Sequence, residues 1–255
     1  MSHEVLFETV GEAIAVVTIN RPEQRNAINA AVRKGMFEAW ERFEADSSLR
    51  VAILTGSGNQ AFCAGADLKE MAANSTGLQP RGTLPVLGDN VKVTKPVIAA
   101  VNGVAYAGGW LFAQMCDLCV ASSKAKFGIT EAKVGRGFPW AAPLIHMIPQ
   151  RIMAELLMTA QPVSAQRAFE FGLVNHVVEP DQLMAKAMEL AGYIAENAPL
   201  TVAAAKELIA LSTDMGRTAA TNAAVAMFER VYRSNDALEG PRAFAEKRKP
   251  RWTGR

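Results

Sequence analysis

Three short apolar runs constrain this chain most: Val51-Ala52-Ile53-Leu54-Thr55, Pro96-Val97-Ile98-Ala99-Ala100-Val101 and Leu118-Cys119-Val120-Ala121. The first is stopped by Gly56-Ser57-Gly58-Asn59 and the second by Asn102-Gly103. A strand with one wet face alternates polar and apolar residues, so runs without alternation fit strands covered on both faces, as in a parallel sheet with crossover helices. Ile14–Ile19 is a further β-branched run, closed by Arg21-Pro22. Ala30–Ala45 carries Val32, Met36, Phe37, Trp40 and Phe43 at helical spacing with charges opposite, which predicts an amphipathic helix. Strands alternating with helices make this an α/β chain.

With 255 residues, half of them hydrophobic, the chain can build a full core without disulfides, and the composition excludes disorder. Lys and Arg total 27 against 25 Asp and Glu, a balance that argues against duplex nucleic acid or an anionic membrane as the principal partner. Cys63, Cys116 and Cys119 are too few for a disulfide scaffold, and the Cys116-Asp117-Leu118-Cys119 spacing has neither a second pair nor a nearby His. They read as buried cysteines in a reducing compartment, with no metal site. The N-terminus carries Glu4, Glu8 and Glu12 where a signal peptide carries positive charge, so a cytoplasmic protein is expected.

Residues 72–90 hold two Pro and three Gly without periodicity and read as a loop or short irregular helix of the kind that forms lids. From Ser164 the pattern turns helical: Ser164–Phe171, Asp181–Glu196, Thr201–Ser212 and Gly216–Ser234. The expected division is a core over residues 1–195 and a helical region over residues 196–255. The ending, Lys247 to Arg255, holds five cations and reads as a solvated tail, with a phosphate contact as the alternative.

Ala61-Phe62-Cys63-Ala64-Gly65-Ala66-Asp67-Leu68 follows a strand and opens a helix near Asp67, so small residues there let a ligand approach backbone N–H groups. Asn102 to Ala113, with Gly108-Gly109 between a strand and a wholly apolar segment, repeats the theme. If the two turns converge, the N–H groups of Ala64 and Gly108 can aim at one carbonyl oxygen, as an enolate hole requires. Glu131, in Phe127-Gly-Ile-Thr-Glu131, reads from its neighbours alone as a helix N-terminal acid. Asp117 fits a structural junction, His146 a packed position on an apolar helix, and Tyr106 and Met71 either the core or an acyl path.

Taken in order, these segments resemble the crotonase superfamily of enoyl-CoA hydratases and isomerases. Arg21-Pro22 with Asn26-Ala27, Ala168 to Asn175, and Gly240 to Arg248 match it too, so the resemblance covers nearly the whole chain. It implies a spiral of ββα repeats, a C-terminal helical region that assembles trimers or hexamers, and an acyl-CoA thioester substrate with no separate cofactor. On matching positions it makes Ala64 and Gly108 the carbonyl-oxygen donors and Glu131 the acid/base. It also implies that Asn26, Ala27 and the turn of Gly65, Ala66, Asp67 and Leu68 lie along CoA, with Lys247 near its phosphates. Phe138 and Trp140 are expected to shape the acyl pocket.

The departure from the hydratases lies at Leu111, where they carry a glutamate. Adding water is well served by two carboxylates, whereas moving a proton between two carbons needs one base. The residues therefore favour double-bond isomerisation by Glu131 alone. Hydration with an acid supplied from elsewhere, such as Glu70 or Asp89, is the near alternative. A thioester hydrolase, a carbon–carbon lyase and a non-catalytic acyl-CoA binder are the others. Leucine at 111 also dries the pocket, which should raise the proton affinity of Glu131.

Overall fold

The computed structural model describes residues 3–73 and 80–255. β1 (Val5–Val10) and β2 (Ile14–Ile19) form an antiparallel hairpin at one edge of a sheet. From β2 onward the sheet is parallel, running through β3 (Val51–Gly56), β5 (Val97–Val101), β7 (Leu118–Ser122) and β10 (His176–Val178). A second sheet joins β4 (Ala61–Cys63), β6 (Val104–Tyr106), β8 (Lys126–Gly128) and β9 (Val163–Ser164).

The chain visits the two sheets in turn. β3 and β4 lead into helix α2 (Leu68–Ala73), β5 and β6 into α3 (Gly108–Gln114), and β7 and β8 into a 3-10 turn at Glu131–Val134. Each passage adds one strand to each sheet, so ββα units wind into a spiral and their helical starts stack at the same end. Two asparagines clamp the corner between the sheets: the buried Asn26 donates to the carbonyls of Ser57 (3.0 Å) and Ala61 (2.7 Å), and the half-buried Asn102 donates to that of Gly58 (2.8 Å).

The middle of the large sheet, β2, β3, β5 and β7, is covered on both faces, which is why those strands do not alternate. Ala52, Leu54, Val97, Ala99 and Val101 share a core with Val32, Met36 and Trp40 of helix α1 (Ala30–Ala45). Val51, Ile53, Ile98 and Ala100 face the other way, onto Leu183, Ala187 and Ala191 of helix α6 (Leu183–Ala195). At such positions truncating a leucine to alanine typically costs ~2–5 kcal/mol. α4 (Gln150–Thr159) and α5 (Ala165–Glu170) flank β9 in the chain, and α7 (Pro199–Asp214), α8 (Arg217–Tyr232) and α9 (Asn235–Ala245) pack in succession at the C-terminal end.

Two expectations are corrected. His146 is exposed, because Pro139–His146 forms a 3-10 helix whose three-residue period buries Ala141 and Leu144 instead. The cationic ending is not a solvated tail. Asp236 accepts from the Thr253 and Gly254 N–H groups at 2.7 and 2.9 Å, Arg248 pairs with Glu239 at 2.6 Å, and Trp252 donates to the Glu196 carbonyl at 2.7 Å. The three cysteines are free and buried, and burial pushes the Cys63 and Cys119 thiols up to about 12. Among the described residues no helix is long and apolar enough to cross a membrane.

Candidate active site

The turn after β4 and the turn before α3 meet. Gly65 has φ +92°, and a Cβ built on it would stand 2.8 Å from the Ala107 Cβ and 3.5 Å from the Gly108 nitrogen. Gly109 packs its α-carbon against the Cys63 carbonyl, where a side chain has no room. Glycine at these two positions is what lets the backbones touch. Ala107 holds the second turn at φ +52°, tied by its N–H to the Gly128 carbonyl at 2.9 Å.

The first turn corrects the donor expected from the sequence. The Ala64 N–H already donates to the Arg25 carbonyl at 3.0 Å, so it faces the protein and not a ligand. Ile28 donates to the Gly65 carbonyl (2.8 Å) and accepts from Asp67 (3.0 Å), a bridge that turns the Ala66 N–H to the opposite side. Among the described residues neither the Ala66 nor the Gly108 N–H has a backbone hydrogen-bond acceptor, so both are open to a ligand where the turns meet.

Arg21 fixes this turn from outside. It donates to the Ala27 carbonyl at 2.6 Å and to Asp67 at 3.1 and 3.2 Å, while Asp67 also accepts from the N–H groups of Lys69 (3.1 Å) and Glu70 (3.3 Å) at the start of α2. Partial burial pushes the Asp67 carboxyl up, but the Glu70 N–H and the Arg21 guanidinium outweigh it and hold it below the usual range. Asn26 is fully buried and uses both ends of its amide, accepting from the Arg21 N–H at 2.9 Å. Its side chain is therefore a strut and has no face left for CoA, contrary to the sequence expectation. Ala27 is half-buried beside it, and Leu68 is exposed at the mouth of the turn.

Glu131 opens the 3-10 turn after β8 and is only 8% exposed. Burial pushes its carboxyl up. Its own N–H, that of Thr130 and the Trp140 indole favour the charged form without cancelling the burial. Its Oε2 is buried without a hydrogen-bond partner among the described residues. Leu111 is buried on the first turn of α3, 3.1 Å from nitrogen to the Ala107 carbonyl. Phe138 and Trp140 are half-buried against the same core.

The described part of the expected lid, residues 80–90, is a built turn: Asn90 donates to the carbonyls of Gly82 (3.2 Å) and Leu84 (2.9 Å) and accepts from Val86 (2.7 Å). It brings the Leu84 side chain to within 4.0 Å of where a Gly108 Cβ would be, so it lies over the meeting point. The remainder, 74–79, lies outside the described residues. Glu70 is engaged through one oxygen with the Ala30 N–H (3.1 Å) and Arg33 (3.4 Å), and Asp89 pairs with Arg81 at the surface. Asp117 has the structural role expected, accepting from the Val97 N–H (2.7 Å) and Lys206 (2.9 Å). Lys247 is exposed just after α9, and no described hydrogen bond or ion pair joins it to the Ala64–Leu68 turn. Among the described residues no cluster of three His, Cys, Asp or Glu is placed to hold a metal.

Comparison with known proteins gives this geometry a family. A profile of the enoyl-CoA hydratase/isomerase family matches residues 9–255. The chain is 40% identical to carnitinyl-CoA dehydratase of Proteus mirabilis over the full length of both proteins. It is 39% identical to the enoyl-CoA hydratase EchA19 of Mycobacterium tuberculosis over 99% of this chain and 97% of the relative. Among solved structures, an enoyl-CoA hydratase from Mycobacterium tuberculosis is 41% identical and superposes with a TM-score of 0.89 over 100% of both chains. With its spiral of ββα units and its match over nearly every residue, this chain belongs to the enoyl-CoA hydratase/isomerase, or crotonase, family.

Proposed function

We propose that the chain is an acyl-CoA enzyme that moves a proton on the thioester's acyl group with Glu131 as its single base. One observation carries this reading. Of the two buried carboxylates among the described residues, Asp236 spends both oxygens on the C-terminal segment, whereas Glu131 keeps Oε2 unclaimed. The thioester carbonyl oxygen accepts from the Ala66 and Gly108 N–H groups. Charge that develops on that oxygen as the proton leaves carbon is met by fixed donors, a contribution of about 3–4 kcal/mol per donor in comparable sites. Glu131 then returns the proton to the α- or γ-carbon and the double bond moves. The high proton affinity of a buried glutamate suits it to give the proton back. CoA is carried by the substrate, and the reading calls for no separate cofactor.

Hydration or dehydration is the second reading, favoured by the names of the relatives, which are hydratases and a dehydratase. One carboxylate can serve it in a syn elimination: Glu131 takes the α-proton and hands it to the departing β-hydroxyl, so that water leaves as the double bond forms. The exposed apolar side chains of Val225, Tyr232, Leu238 and Phe244 on α8 and α9 support self-association of residues 196–255 into a trimer or hexamer.

The deciding experiment incubates wild type and Glu131→Gln with a β,γ-enoyl-CoA and an α,β-enoyl-CoA in deuterated water, read by mass spectrometry and by absorbance of the conjugated thioester. Migration of the bond with deuterium uptake but no added water, lost in the variant, supports isomerisation. Enzymatic addition of water to the α,β substrate establishes the second reading.

A further inference from the structure

The loop after β2 folds back on its own first residue. Arg25 and Asn26 stand at φ +50° and +55°, and this reversal returns the Ala27 carbonyl to the Arg21 guanidinium, which donates to it at 2.6 Å. The carbonyl of Ala27 and the N–H of Ile28 belong to one peptide group, and the carbonyl of Gly65 and the N–H of Ala66 belong to another. A trans peptide group points its two ends in opposite directions. The Ile28 N–H donates to the Gly65 carbonyl at 2.8 Å, so one line of hydrogen bonds runs from the Arg21 guanidinium through two peptide groups to the Ala66 N–H, which has no backbone acceptor among the described residues. Asp67 accepts from the same guanidinium at 3.1 and 3.2 Å, and its N–H donates to the Ile28 carbonyl at 3.0 Å, so neither peptide group can turn without breaking a bond. Ile28 is 1% exposed and the Arg21 side chain 11%, which keeps water from competing along the line.

From this geometry we infer that Arg21 is a positioning residue for the Ala66 donor, aiming its N–H and strengthening it through the two intervening peptide groups. The inference rests on the reading of Ala66 and Gly108 as the pair that holds the thioester oxygen. A carbonyl that accepts from a cation draws electron density from its own N–H, which becomes the stronger donor to the next acceptor, and away from water the bonds of such a chain reinforce one another. The thioester oxygen carries more negative charge in the enolate than in the bound substrate, so a stronger donor favours the enolate over the ground state. The peptide group of Gly108 is backed instead by the neutral Leu111 N–H, which donates to the Ala107 carbonyl at 3.1 Å, so the Arg21 line serves one donor of the pair.

The test reads the carbonyl stretch of hexanoyl-CoA, labelled with 13C at the thioester carbon, free and bound to the full chain, by infrared difference spectroscopy. Binding to wild type is expected to lower the frequency, because both donors draw charge onto the oxygen. Arg21→Gln removes the cation. It is expected to return the band part of the way to its free position and to lower kcat on the enoyl-CoA substrate about tenfold with little change in KM, less than the loss of a whole donor. Arg21→Lys keeps a cation and is expected to recover part of both. Glu4→Gln removes the carboxylate that lies 3.4 Å from the Arg21 Nε and leaves the line intact, so the band is expected to stay in place whatever the change in melting temperature. A folded Arg21→Gln with the band and kcat of wild type overturns the inference. So does a loss of kcat with an unmoved band, or a Glu4→Gln band displaced as far as that of Arg21→Gln. Should Arg21→Gln not fold, Arg21→Lys carries the test, because a lysine cannot make the forked contact to Asp67 and the bond to Ala27 in the same geometry. A displaced band with kcat lowered several-fold is then expected, and wild-type values of both overturn the inference. A wild-type band at the free frequency shows that the oxygen is not held, and it is then the reading of the two donors that fails, and the inference with it.

Discussion

Gly65 and Gly108 lie side by side with room for one methyl group between them: a Cβ added to Gly108 would stand 3.8 Å from the Gly65 α-carbon, and one added to Gly65 would stand 3.5 Å from the Gly108 nitrogen. This approach sets the spacing of the Ala66 and Gly108 N–H groups proposed to hold the carbonyl oxygen. Gly65→Ala places a side chain at φ +92° against the Ala107 Cβ, at a cost of order 1–3 kcal/mol for the backbone conformation alone. The expected outcome is a folded protein of lower melting temperature whose kcat falls far more than its acyl-CoA affinity. Thermal melting and steady-state kinetics check it.

The identity of the first donor is testable by proline, which removes the N–H and also fixes φ, so the cost to the fold is measured beside the kinetics. Ala66→Pro should lower kcat by about 10²–10³-fold, the loss seen when one such donor is removed. Ala64→Pro removes instead the hydrogen bond to the Arg25 carbonyl, and should appear mainly as lost stability. Chemical denaturation alongside kinetics separates the two.

Glu131 should be a liability for the fold. Burial raises its pKa in the folded protein, so its contribution to stability is greatest below the unfolded value and is lost as pH rises through the folded value. Glu131→Gln is therefore expected to abolish activity and raise the melting temperature at neutral pH, with the gain shrinking as pH falls. A variant less stable than wild type at pH 7 contradicts this.

Leu111→Glu restores the acid that hydratases of the family carry, in a buried position. Like charge and desolvation together should raise the pKa of the pair and cost stability, and addition of water to an α,β-enoyl-CoA should increase relative to bond migration. Product analysis by mass spectrometry reads the ratio.

The C-terminal segment should release in acid. Hydrogen bonding to Arg248, helped by the Arg251 N–H, holds Glu239 down to about 2, against an ordinary value of 4.5. A depressed carboxylate adds stability above its unfolded value and loses it as pH falls through its folded value, so the clamp weakens between about pH 4.5 and pH 2. The protection of the Arg251, Thr253 and Gly254 amides against hydrogen exchange, relative to the intrinsic rate at each pH, should fall in that window, and Arg248→Ala should move the fall to higher pH.

The middle strands of the large sheet, β2, β3, β5 and β7, were legible because burial on both faces leaves its mark on every position, whereas the half-open edge strands β1 and β10 carry no such run. Ala30–Ala45 and Ile14–Ile19 form with the bounds their patterns predict. The second sheet was not legible, because β4, β6 and β8 are three residues each and too short to show a period. The site was half legible. Small residues after a strand announce exposed N–H groups, and an acid after a turn announces Glu131. Which N–H faces outward depends on Ile28, nearly 40 positions before Ala66, and no local pattern reveals that bridge. Asn26 misleads for the same reason, its partners at Ser57 and Ala61 lying beyond any local window. His146 misleads because Pro139 and Pro143 favour a 3-10 helix, which shifts the buried face.

The most direct test of the account is the pH dependence of proton exchange between an enoyl-CoA and deuterated water, for wild type and Glu131→Gln. The account predicts an acid limb above the ordinary glutamate value of 4.5, and no enzymatic exchange in the variant. Exchange in Glu131→Gln at the wild-type rate would show that the proton moves through another group, and would contradict it.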